Sequence, residues 1–181
     1  YIRWAEYERE HRRQRDEALT RLRFPHAEFR SGQRQLANTV YRAARDGHCL
    51  MAQATTGIGK TLGTLFPQLK AFPEQELDRL FFLTAKTPGR RLALDALTTL
   101  RSQEDAMPLR VLEHVARDKA CEHLDKACHG DSCPLAKGFY DRLPAARKAA
   151  LEGQWLSHER VREVALAHQI CPYYLSQELC R

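Results

Sequence analysis

Ala54-Thr55-Thr56-Gly57-Ile58-Gly59-Lys60-Thr61 is the stretch on which the reading of this chain turns. Before it stands a short apolar run, Cys49-Leu50-Met51-Ala52, which reads as a buried strand; after it, Leu62 to Ala71 reads as a helix. Strand, glycine-containing loop, Lys-Thr and helix, in that order, form a phosphate-binding loop. The order matters chemically. Small residues let successive backbone N–H groups turn inward toward phosphate oxygens, and the helix N-terminus adds the positive end of its dipole. In such a loop Lys60 reaches the β- and γ-phosphates and the Thr61 hydroxyl holds Mg²⁺, which makes both catalytic candidates for ATP chemistry. Ala54, Thr55, Thr56, Gly57, Ile58 and Gly59 complete the candidate cofactor-binding loop. The strict pattern asks for Gly where Ala54 stands. A plain glycine turn running into an ordinary helix is the simpler alternative. It leaves the register of Gly57, Gly59, Lys60 and Thr61 unexplained.

Upstream lies Phe29-Arg30-Ser31-Gly32-Gln33-Arg34. Ser31 is the expected N-cap of a helix running to about Asp46, with Leu36, Ala37, Val40, Tyr41 and Ala44 on one buried stripe and Gly47 as its end. The Gln33 amide offers a donor and an acceptor together, which suits an adenine edge. Alone this is a weak signal, because a surface Gln needs no explanation.

Downstream, Pro73 to Asp78 reads as a polar turn and Leu80-Phe81-Phe82-Leu83-Thr84 as a second buried strand. Ala85-Lys86-Thr87-Pro88-Gly89-Arg90 then leads into a helix with Ala93, Ala96, Leu97 and Leu100 on one face. Alternating strands and helices imply an α/β fold, a parallel sheet covered on both faces. The loop after the second strand shares the carboxyl edge with the phosphate loop. Thr84, Lys86, Thr87 and Arg90 are therefore candidates to touch a polyanion lying on that edge, while a helix cap with surface basic residues explains them without a ligand.

The chain has 181 residues, 43% of them hydrophobic, enough for one medium domain or two small ones. Its net charge of +6 permits a nucleic-acid partner without requiring one. No apolar run is long enough for a membrane span. The Arg- and Glu-rich N-terminus is not a secretory signal, so a cytoplasmic place is expected. Residues 1 to 23 read as an exposed, charge-dense helix or linker. The chain opens on Tyr1 rather than Met, and it is expected to be part of a longer polypeptide.

Six cysteines occur: Cys49, Cys121, Cys128, Cys133, Cys171 and Cys180. Without a secretory signal, metal binding or burial is a better expectation than disulfides. Cys49 reads as a small hydrophobe in its strand and Cys180 as a bystander. Cys121, Cys128 and Cys133 crowd one polar stretch, and Cys171 returns after two helical segments, Leu135 to Gly153 and Ser157 to His168. Cys133-Pro134 and Cys171-Pro172 repeat one device, a proline that stiffens the chain after a thiol. Four such thiols suit a [4Fe–4S] cluster or a structural zinc ion. Spacings of six, four and thirty-seven residues, without two close pairs, favour the cluster; His123, His129 and His168 keep zinc open.

Taken together, Phe29 to Gln33, Ala54 to Thr61, Phe82-Leu83-Thr84-Ala85-Lys86-Thr87 and the four cysteines resemble the N-terminal part of XPD/DinG-like iron–sulfur DNA helicases, over about residues 22 to 181. In that family a RecA-like motor domain is interrupted by a four-cysteine cluster domain. The resemblance implies adenine recognition by Gln33 with Arg30, and ATP and Mg²⁺ at Gly57, Gly59, Lys60 and Thr61. It implies single-strand backbone contacts at Thr84, Lys86 and Thr87, a basic residue near the DNA path at Arg117, and cluster ligation by Cys121, Cys128, Cys133 and Cys171. The expected partners are single-stranded DNA or single-/double-strand junctions, with 5′→3′ translocation in a bacterial-type, nucleoid-associated setting. No DEAH-type motif follows an apolar strand here; Asp16-Glu17-Ala18 lacks the strand. This stretch alone is therefore not expected to turn over ATP or to unwind DNA. The expected organisation is an N-terminal helix over 1–23, the first part of the motor over 24–112, the mainly helical cluster domain over 113–171 and a return toward the motor over 172–181. The rivals are a P-loop ATPase with a structural zinc module and a metal-stabilised nucleic-acid-binding module.

Overall fold

The computed structural model of the chain describes residues 2–102 and 107–181. It divides into two compact units, Tyr1–Pro108 and Leu109–Arg181.

Absence of Gly and Pro, with charges at helical spacing, carries α1 from Ile2 to Arg21. Arg13 sits between Glu10 and Glu17 on its exposed face. The expectation of a fully exposed helix fails in its C-terminal half. Ala18 and Leu19, with Leu22 just beyond, are almost wholly buried in the first unit. Arg15 is buried as well: its guanidinium lies 5.1 Å from the centre of the Phe72 ring and donates to the carbonyl of Leu77 at 3.0 Å. Those partners lie far along the chain, so the docking could not be read locally.

Helix α2 (Gln33–Asp46) buries Gln33, Ala37 and Val40. Its N-cap is Gly32 in the left-handed region, not Ser31, and no side chain caps it. Gly47 ends it as expected, its N–H bonding the carbonyl of Ala43. Helix α3 (Lys60–Gln75) is longer than expected, and Pro67 and Pro73 both lie inside it. Pro73 does not open a turn, because burial of Leu65, Leu69, Ala71 and Phe72 carries the helix another turn. Helix α4 (Thr87–Arg101) has Pro88 in its first turn, where a missing N–H costs nothing.

The two expected strands of this unit are not formed among the described residues. Residues 49–53 and 80–84 have no regular secondary structure. Leu50, Met51, Phe81, Phe82 and Leu83 are exposed, Met51 completely, and Cys49 is exposed rather than a buried hydrophobe. Apolar character alone does not bury a strand; neighbouring strands must supply its hydrogen bonds and cover its faces.

The second unit holds the one sheet among the described residues, a parallel pair of β1 (Val111–Leu112) and β2 (Trp155–Leu156). Val111 N–H donates to the carbonyl of Gln154, and Glu113 N–H to that of Leu156, both at 2.8 Å. Short helix α5 (Arg117–Ala120) opens the cysteine stretch. Helices α6 (Phe139–Leu151), α7 (His158–Ala167) and α8 (Pro172–Cys180) follow. Ser157 caps α7 as expected, its hydroxyl accepting from Arg160 N–H at 3.2 Å. The core is built from Phe139, Leu143 and Ala146 of α6, Val161 and Val164 of α7, and Ile170 and Leu175. Residues 172–181 thus pack into this unit, largely as α8.

Candidate functional site

Gly57 and Gly59 both take left-handed backbone conformations, with φ of 87° and 81°. Gly57 and Gly59 are the residues that make the loop's turn into α3 sterically cheap. Lys60 folds back over the loop, its Nζ donating to the carbonyls of Ala54 and Thr55 at 3.0 and 2.9 Å. The ammonium is thereby held over the loop, with no side-chain cap at the start of α3. Open amides and a nearby cation are what an anionic phosphate needs. Thr61 lies half-buried in the first turn of the same helix.

Arg30 and Gln33 brace this loop. The Arg30 guanidinium donates to the carbonyl of Gly57 at 2.7 Å. The Gln33 side chain, only 3% exposed, accepts from the Arg30 N–H at 3.1 Å and donates to the carbonyl of Gly59 at 3.0 Å. Gln33 is thus a buried strut, not the surface glutamine its neighbourhood in sequence suggested. A Cβ added to Gly59 would overlap the Gln33 amide. Gly59→Ala is expected to cost about 2–4 kcal/mol, from left-handed strain and the displaced buried amide together. Urea denaturation of the first unit's helices reads this directly; an unchanged midpoint would remove the strut from consideration.

Thr84, Lys86 and Thr87 stand together at the start of α4. All three are exposed. The Thr84 hydroxyl donates to the carbonyl of Lys86 at 3.2 Å, closing a local turn. Lys86 is the N-cap of α4, and its carbonyl accepts from the Gly89 N–H at 3.1 Å. The phosphate loop and this turn each carry a cation beside a helix start.

In the second unit, Cys121, Cys128 and Cys133 lie in the stretch that joins α5 to α6, and Cys171 is the N-cap of α8. Cys133 and Cys171 are buried, Cys121 partly so, and Cys128 is exposed. Burial pushes the Cys171 thiol up, and the charges of Cys121 and Cys133 push it the same way; the amides of Tyr173 and Tyr174 oppose them. Arg117 Nη1 lies 3.5 Å from Cys128 Sγ. Tyr174 is pushed up by burial first, then by the charge of Cys128 and a hydrogen bond with it. The four thiols therefore share one neighbourhood around the start of α8. Among the described residues, however, no group of three or more His, Cys, Asp or Glu stands ready to hold a metal ion. Four thiols are nonetheless the donor type that a thiolate-bound centre uses. Of the histidine alternatives, His129 has its Nε2 paired with the Ser132 hydroxyl at 3.1 Å. Tyr174 was missed in the sequence, although its place three residues past Cys171 puts it back over the helix start.

The chain matches the model of the DEAD_2 family over residues 73–181, more than half its length. The match makes it a member of a helicase family. Within that class it belongs to DEAD_2, a domain of XPD/DinG-type helicases. Such membership implies nucleic acid and ATP as partner classes. Neither the curated proteins nor the solved structures gave a significant match. No helix among the described residues is long and apolar enough to cross a membrane.

Proposed function

We propose that this chain carries the nucleotide-binding part of a RecA-like, ATP-driven DNA helicase motor, together with a [4Fe–4S] lobe, and that the motor moves 5′→3′ on single-stranded DNA. The observation that carries the reading is the loop of Gly57 and Gly59 with Lys60 folded across it at the start of α3. Membership in DEAD_2 supports it.

Mg²⁺–ATP seats its phosphates on the amides of residues 57–61, where Lys60 exchanges its two carbonyl partners for phosphate oxygens. Thr61 supplies the hydroxyl for Mg²⁺. Arg30, just ahead of α2, and Gln33, at its start, brace the loop, and adenine recognition has the Gln33 amide exchange its Arg30 and Gly59 partners for the base edge. Thr84, Lys86 and Thr87 take the single-strand backbone in the first unit, and Arg117 is a basic contact to DNA in the second. Cys121, Cys128, Cys133 and Cys171 hold the cluster, which when bound ties the cysteine loop to the start of α8. Arg117 and Tyr174 stand beside Cys128 and support the sulfur that is most exposed.

The test is ATP turnover by the complete protein with and without oligothymidylate, together with the same measurement for Lys86→Ala. Stimulation by the single strand that is weakened several-fold in the variant is the expected outcome. Turnover indifferent to DNA would favour a P-loop ATPase of another kind.

A further inference from the structure

Helix α2 has a second face. Opposite the buried Gln33, Ala37 and Val40, its exposed side lines an open trough of about 550 Å³ with Gly32, Arg34, Gln35, Asn38, Thr39 and Arg42. No carboxylate is among these lining residues. Arg34, Asn38 and Arg42 recur every four residues, so they form one ridge with steps of about 6 Å. The Arg34 guanidinium is held 5.2 Å over the Phe29 ring, and Phe29 is stacked on Phe24 at 3.8 Å. That stacking sets the guanidinium in advance and leaves its edge for hydrogen bonding. One helical turn beyond Arg42, the carboxylate of Asp46 is taken up by Arg45 at 2.7 Å. The ridge is therefore cationic.

We propose that this ridge is a second contact for single-stranded nucleic acid, taking successive backbone phosphates along Arg34, Asn38 and Arg42. It rests on the nucleic-acid reading of the proposed function and extends it to a face outside the Thr84–Thr87 turn and Arg117. The trough is open, which suits a strand running through it better than an enclosed small ligand. Two guanidinia with an amide donor between them, at a regular step, match a repeating phosphate backbone; an acidic peptide has no such fixed repeat. The trough begins at Gly32, where an added Cβ would come within 3.0 Å of Ile58 Cδ1 in the phosphate loop. A strand on the ridge thus ends beside the nucleotide loop.

The experiment is fluorescence anisotropy of labelled oligothymidylate with the complete protein over a series of KCl concentrations. The double variant Arg34→Gln/Arg42→Gln removes two phosphate contacts. The slope of log affinity against log salt is expected to become shallower by roughly 1.4, and Arg34→Lys/Arg42→Lys is expected to restore most of it. Both positions are exposed, and far-UV circular dichroism checks that α2 is intact. Lys86→Ala is measured alongside. If Lys86→Ala weakens binding while both arginine variants leave slope and affinity unchanged, the ridge is not a DNA contact and the proposed function stands. If the parent protein binds no single strand at all, both readings fall. Loss of Mg²⁺–ATP affinity in the arginine variants with DNA binding unchanged would give the ridge to the nucleotide, and sensitivity only toward a labelled polyglutamate peptide would give it to an acidic protein; either overturns the proposal.

Discussion

Lys60→Ala is expected to weaken Mg²⁺–ATP binding by about ten- to a hundredfold and to abolish ATP turnover in the complete protein. Lys60 is exposed, and its ammonium is spent on two backbone carbonyls of its own loop. Those bonds cost little to break, because water replaces them on an exposed side chain. Triphosphate oxygens, carrying full charge, are better partners than neutral carbonyls, and each charge-assisted bond is worth roughly twice a neutral one. The variant should fold normally, since the side chain buries nothing. Titration calorimetry with Mg²⁺–ATP separates the two roles: binding heat lost while the thermal midpoint stays put is the expected result. Lys60→Arg should not rescue turnover, because a planar fork does not replace a compact ammonium above this loop. Undiminished ATP hydrolysis in Lys60→Ala would end the motor reading.

Protein purified without oxygen is expected to carry about four irons with acid-labile sulfide, and Cys128→Ser to lose them. Cys128 is exposed and contributes nothing to the core of the second unit. Its replacement should therefore remove metal while α6, α7 and α8 keep their helicity. Cys171→Ser is the instructive contrast. Cys171 lies within the core and at the start of α8, so that variant should lose both iron and stability. Leu143, Ala146, Val161, Val164, Ile170 and Leu175 form an apolar centre of the lobe that needs no metal. Chelation is accordingly expected to loosen the cysteine stretch and leave the helices in place, as circular dichroism with limited proteolysis can establish. Iron analysis with visible absorption decides the metal. Stoichiometric zinc in colourless protein, from a preparation shown not to have lost iron, would replace the cluster by a structural zinc site.

Several features were legible because neighbours in sequence decide them. Gly57 and Gly59 take the left-handed turns before α3 through their own backbone freedom, Gly47 ends α2 and Ser157 caps α7. Family membership was legible from the order of such motifs, and the DEAD_2 match agrees with it. Other features misled for equally physical reasons. Leu80 to Leu83 has the composition of a buried strand, yet a strand exists only where another pairs with it. Pro73 looked like a helix breaker, but packing of Phe72 and Leu69 outweighs a proline near a helix end.

By itself, the sequence determined the helix end at Gly47, the cap at Ser157 and the family, since these rest on local backbone preferences and the order of short motifs. Tertiary structure alone decided that α1 docks through Arg15 and Leu19, and that Val111–Leu112 pairs with Trp155–Leu156. It also decided that Gln33 braces Gly59 from inside, and that Arg34, Asn38 and Arg42 line one trough. Each of these depends on surfaces meeting across the fold, where burial and hydrogen-bond satisfaction are settled only after distant segments have come together.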